Sequence, residues 1–98
     1  MNFELKEDEK LIRLEINGPI EMQSIKTFRE KIFNLGETTN KDIEVDLRKV
    51  DYMDSSGIGL LITLYKSQKQ KGKAFTIVNV SPRVIDLLRL SSLSDVID

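Results

Sequence analysis

The apolar residues of this chain change their spacing repeatedly, and that alternation limits the fold more than any single residue does. Phe3 and Leu5 alternate with charged residues, and after the polar stretch 6–10 the run Leu11-Ile12-Arg13-Leu14-Glu15-Ile16 alternates again. A period of two marks a strand with one buried face, so the two runs predict a hairpin. Asn17-Gly18-Pro19 ends it. Over 22–35 the period lengthens: Ile25, Phe28, Ile32 and Leu35 share one helical stripe, with Gly36 in the place of a C-terminal cap. Residues 42–47 return to strict alternation, with Ile43, Val45 and Leu47 opposite Glu44 and Asp46.

A second helix is expected over 56–71. Lys66, Lys69 and Lys71 suit the negative end of its dipole, and Gly72 stops it. The near-continuous apolar run 74–80 predicts a strand buried on both faces. Ser81-Pro82 then opens a third helix, serine as N-cap and proline at the first helical position. That helix is expected to bury Val84 or Ile85 with Leu87 and Leu88, Leu90 being a further candidate, and 95–98 to add a short edge strand. The order is ββαβαβα. Strand–helix–strand passages call for parallel pairs with right-handed crossovers, while the hairpin is antiparallel. The expected fold is α/β, a small mixed β-sheet with helices packed on it, in a single domain over 1–98.

Composition removes most chemistries. The chain has neither cysteine nor histidine, so disulfides, thiolate nucleophiles, imidazole bases and Cys/His zinc sites are excluded. The formal net charge of −1 offers no basic face for nucleic acid. The N-terminal residues lack the pattern of a signal peptide, and the apolar run 58–64 is far short of the roughly 20 residues that span a bilayer. A cytoplasmic protein without direct membrane contact is the expectation.

One turn stands out in this frame. Met53-Asp54-Ser55-Ser56-Gly57 lies between a strand and an apolar helix and sets a hydroxyl at a helix N-terminus. Its plainest reading is a cap, with Asp54 or Ser55 bonding the first amides for about 1 kcal/mol. Gly57 and Gly59 each cost ~1 kcal/mol relative to alanine inside a helix. They therefore imply close approach, either of a partner or of the chain's own packing. Ile58, Leu61, Ile62 and Tyr65 form a stripe that Leu60 and Leu64 widen, either as a partner-binding patch near Gly57 or for burial under neighbouring helices.

Enzyme readings fail one by one. Ser55 has no histidine to act as base, and Met53 stands where the nucleophile elbow needs glycine. Gly57-Ile58-Gly59 lacks the third glycine of a dinucleotide fingerprint, since Ile62 occupies its place, and Gly72-Lys73 is not a P-loop. Asp46, Asp51 and Asp54 suggest a magnesium site, but solvated loop carboxylates explain them more simply. A hydrolase or phosphotransfer domain using Ser55 or Asp54 lacks a base, and aspartyl phosphorylation of Asp54 lacks the acidic pair it needs after the first strand. The chain is read as a non-enzyme without cofactor.

Val45-Asp46-Leu47 leading to Tyr52-Met53-Asp54-Ser55-Ser56-Gly57-Ile58-Gly59, then Tyr65-Lys66, resembles the bacterial anti-sigma factor antagonists of the STAS family. Val80-Ser81-Pro82-Arg83-Val84 with Leu87 and Leu90-Ser91, and the opening strands ending at Gly18, resemble that family too, so the likeness covers nearly the whole chain. It implies a protein that binds an anti-sigma factor that is also a GHKL-type serine kinase, and thereby frees the sigma factor. It also implies phosphorylation of Ser55 by that kinase, reversal by a PP2C-type phosphatase, and a partner surface on Glu21, Asp54, Ser56, Gly57 and Ile58. A non-catalytic STAS subunit of a transporter, or of a secretion-regulating partner switch, is the alternative.

Three departures stand out. Gly18-Pro19-Ile20-Glu21 replaces the family's frequent Gly-Glu-Leu-Asp, which lengthens by one methylene a carboxylate expected to meet an arginine of the kinase. Ser92 stands where a glycine is usual, and the chain ends at Asp98 where many members continue into a further helix. A phosphoserine carries about −1.5 to −2 charges. Free amides at the helix N-terminus and the helix dipole are expected to tolerate it, with Asp54 limiting the gain. The switch is thus expected to act at the surface, leaving the domain folded.

Overall fold

The computed structural model describes residues 2–22 and 25–97. Strands β1 (Asn2–Glu7) and β2 (Leu11–Asn17) form the expected hairpin, with Phe3 opposite Ile16 and Leu5 opposite Leu14. Helix α1 (Lys26–Thr38), strand β3 (Asp42–Lys49), helix α2 (Ser55–Lys71), strand β4 (Phe75–Val78) and helix α3 (Pro82–Leu88) follow, and a 3₁₀ turn spans Ser92–Val96. The sheet order is β1-β2-β3-β4, with β2–β3 and β3–β4 parallel. This is the predicted ββαβαβα order on a mixed sheet.

Alternation decides where the core lies. Ile12, Leu14 and Ile16 of β2 and Ile43, Val45 and Leu47 of β3 are buried on one side, under Phe28, Ile32, Leu35, Leu60, Leu61 and Leu64 of α1 and α2. Phe3 closes the β1 end of that core with its ring 5.2 Å from the ring of Phe28. The other side of the sheet is polar. Arg13 bonds Glu44, and its Nη2 donates to Asp46 Oδ2 at 2.6 Å. Lys6 pairs with Glu15 at 2.8 Å on the same side.

Several boundaries differ from expectation, each for a physical reason. Helix α1 starts at Lys26 instead of residue 22, and of the expected stretch Gln23 and Ser24 lie outside the described residues. Gly36 is no cap. The helix runs on to Thr38, and Gly36 is where α1 and α2 touch: its carbonyl accepts Ser67 Oγ at 2.7 Å and Lys71 Nζ at 3.1 Å. A Cβ there would stand 3.1 Å from Ser67 Oγ. Strand β4 is buried on one face only, because the helices cover one side of the sheet and leave Thr76 and Val78 half-buried.

The C-terminal stretch departs further. Leu90 is 99% exposed, since α3 buries Val84 and Leu88 and ends before it. The expected edge strand over 95–98 is replaced by the 3₁₀ turn; Ile97 alone bridges Ile77, and Asp98 lies outside the described residues. Gly72 does cap α2 as expected, at φ 69°. No described helix is long and apolar enough to cross a membrane.

Candidate functional site

The turn after β3 is built on a short parallel bridge between Ile20 and Met53. Ile20 N–H donates to Tyr52 O at 3.0 Å, and Asp54 N–H donates back to Ile20 O at 3.0 Å. These bonds bring the β2–α1 connection against the head of α2. Asp54 is the N-cap, in extended conformation. Its Oδ1 accepts the Ser56 N–H at 3.0 Å, the Gly57 N–H at 3.3 Å and the Ser56 hydroxyl; its Oδ2 accepts the Met22 N–H at 3.1 Å. The Ser56 hydroxyl, then the Met22 N–H and the helix amides, hold the Asp54 carboxyl below the usual carboxylate range, against a smaller opposing effect of burial.

The sequence-predicted residues separate on this frame. Ser55 occupies the first helical position and is exposed, and its hydroxyl makes no hydrogen bond among the described residues. Ser56 is half-buried and tied to Asp54. Gly57 is buried: a Cβ there would lie 2.6 Å from Ile20 Cγ2, so packing within the chain accounts for this glycine. Gly59 is different, because a Cβ there would meet nothing within 4 Å. Ile58 is half-buried at the margin of the core, and Glu21 is half-buried beside Met22.

The wide apolar face of α2 resolves in favour of burial at its centre. Leu60, Leu61 and Leu64 sit in the core, while Ile58, Ile62 and Tyr65 lie at its rim. Gln68 extends the buried face, fully covered, with Nε2 donating to Lys41 O at 2.8 Å and Ala74 O at 3.1 Å. Asp46 is likewise no solvated loop carboxylate. It is buried, and burial pushes its carboxyl up, but the Arg48 N–H, the Asn79 amide and the Arg13 guanidinium outweigh that and hold it low. Among the described residues, no group of three or more acidic side chains is placed to hold a metal ion.

The expectation of free amides awaiting a phosphate is also corrected. Asp54 already occupies the first amides of α2, so an anion on Ser55 gains none of those that Asp54 holds. Met22, expected to open the helix that begins only at Lys26, belongs to this site instead. It is 67% exposed beside the turn, and only the Asp54 contact reveals its position.

The model of the STAS domain matches residues 2–98. The chain belongs to the STAS domain family. Its STAS domain is 35% identical to the anti-sigma-B factor antagonist of Bacillus subtilis (strain 168), over 100% of this chain and 89% of that protein. It also superposes on the anti-sigma factor antagonist SpoIIAA in its unphosphorylated form, with a TM-score of 0.86 and 20% identity over 99% of this chain and 86% of the other. With SpoIIAA of Bacillus in the phosphorylated form the TM-score is 0.78 at 21% identity, covering 99% and 89%. The two structures share the fold of this STAS domain.

Proposed function

We propose that this STAS domain is an anti-sigma factor antagonist whose docking surface is the head of α2 with Glu21 and Met22, and whose switch is phosphorylation of Ser55. Its partner is an anti-sigma factor that is also a GHKL-type serine kinase; docking frees the sigma factor, and a PP2C-type phosphatase restores the docking form. The observation that carries this is the exposed hydroxyl of Ser55 at the first position of α2, unbonded among the described residues, in a chain whose relatives are named anti-sigma-B factor antagonists.

The physics of the switch is local. Asp54 precedes the serine with its carboxylate fixed by the helix cap, and half-buried Ile58 lies one turn further along α2 at the margin of the core. A partner that fits this surface desolvates it. Adding about −1.5 to −2 charges beside Asp54 makes that desolvation costly. A penalty of ~3–4 kcal/mol lowers affinity by a few hundred- to nearly a thousandfold, enough to reverse a competition for the same partner.

The test is co-expression with the GHKL-type kinases of the same genome, followed by intact-mass and peptide analysis and by titration of two variants. Ser55→Ala keeps the fold and binds the kinase persistently. Ser55→Asp folds and binds poorly. Equal affinities for the two variants, or a phosphate found elsewhere than Ser55, overturn the proposal.

A further inference from the structure

Two serines stand side by side in the turn, and the fold treats them differently. Ser55 is exposed and its hydroxyl is unbonded among the described residues. Ser56 is half-buried, and its hydroxyl donates to Asp54 Oδ1, the oxygen that also takes the amides of Ser56 and Gly57. Asp54 is itself pinned, because Oδ2 accepts Met22 N–H at 3.1 Å. The carboxylate cannot swing aside without surrendering both the cap of α2 and the anchor of the β2–α1 connection.

We infer that Asp54 is a selectivity gate that confines phosphoryl transfer to Ser55, by holding the Ser56 hydroxyl inward and by fixing a carboxylate where a phosphate on Ser56 would have to sit. This rests on the reading of Ser55 as the phosphoacceptor and names what keeps its neighbour out. In the transfer, the serine Oγ attacks the γ-phosphorus of ATP. The new O–P bond forms as the bond to the β,γ-bridging oxygen breaks, ADP leaves, and the hydroxyl proton passes to the kinase's base. Ser55 is exposed, and among the described residues no bond holds its hydroxyl back from that attack. Ser56 already directs its proton to a carboxylate of its own chain, and its product would set a dianion in contact with that carboxylate. Discrimination between like acceptors commonly uses such a repulsive element.

The experiment compares the wild type with Asp54→Asn, which keeps an acceptor oxygen for the helix amides and removes the charge. Both are incubated with ATP and each GHKL-type serine kinase of the same genome, and the Ser56-to-Ser55 phosphate ratio is read by peptide mass spectrometry. The ratio is insensitive to any loss of docking, since both sites share one encounter. Wild type takes phosphate on Ser55 alone, and Asp54→Asn raises the ratio by roughly tenfold or more. An unchanged ratio in a phosphorylated Asp54→Asn protein overturns the gate and leaves the proposed function standing.

A second measurement needs no kinase. Phosphoserine is installed genetically at 55 or at 56, and thermal midpoints are compared. At 56 the midpoint falls further than at 55, and Asp54→Asn narrows the difference; equal midpoints in the wild-type background overturn the gate. If no kinase places phosphate on wild-type Ser55, the phosphoacceptor reading fails and the gate that rests on it falls with it.

Discussion

Ile20 fills the space that a side chain at Gly57 would need: a Cβ built there stands 2.6 Å from Ile20 Cγ2 and 3.4 Å from Ile20 O. Ile20 is completely buried, so neither atom has room to retreat. Gly57→Ala is therefore expected to destabilise the domain by about 1–3 kcal/mol, as overpacking does. Denaturant melts of Gly57→Ala, Ile20→Ala and the double variant check this. The double variant should recover part of the loss, giving a coupling energy; strict additivity would mean that the two residues do not meet.

Gly59 predicts the opposite sign. It lies inside α2 with nothing near the position of a Cβ. Gly59→Ala should raise stability by roughly 0.5–1 kcal/mol, because alanine lowers the entropy that the unfolded chain loses. Among the described residues nothing needs a glycine here, so the stabilised variant is expected to bind the proposed kinase partner more weakly than wild type. Thermal melts and a binding titration on one preparation report both effects.

Met22 is exposed beside the head of α2, where its N–H donates to Asp54 Oδ2. Met22→Ala should leave stability within about 0.5 kcal/mol of wild type. Its cost should appear in docking, about 1–2 kcal/mol or roughly five- to thirtyfold in Kd. Calorimetric titration against the proposed kinase partner checks this, and unchanged affinity removes Met22 from the proposed surface.

Asp46 gives a pH dependence. Its carboxyl titrates below the ordinary aspartate value of about 3.9, so folding favours the charged form. The stabilisation is complete above that ordinary value and disappears as pH falls through the lower, folded-state one. Asp46→Asn should cost on the order of 1–3 kcal/mol at neutral pH, where it weakens the bonds to Arg13, Asn79 and the Arg48 N–H. The difference from wild type should shrink in strong acid. Urea melts across the acid range measure it, and a pH-independent gap would refute the assignment.

The strands and helices were legible because alternation and the helical period report which face is buried, and the caps Asp54, Ser81 and Gly72 obey local chemistry. What the chain hid were contacts between distant segments. Gly36 carries the signature of a cap, yet it serves the approach of α2 through Ser67 and Lys71. Met22 opens the stretch expected to be helical, yet its N–H is claimed by a carboxylate 32 residues away. Asp46 alternates like an outward-facing strand residue, and Arg13 and Asn79 join the nearby Arg48 N–H in making its burial tolerable. The motif located the two serines; the tertiary hydrogen bond to Asp54 tells them apart.

The seam joining residues 20–22 to the head of α2 has a kinetic meaning. Two backbone bonds, one carboxylate contact and the Ile20–Gly57 packing fasten it before any partner arrives. Encounter then needs little ordering of this surface, so little of the interaction free energy is lost to ordering it. A modification at its centre has no slack loop to absorb it, and its full effect should emerge as faster dissociation.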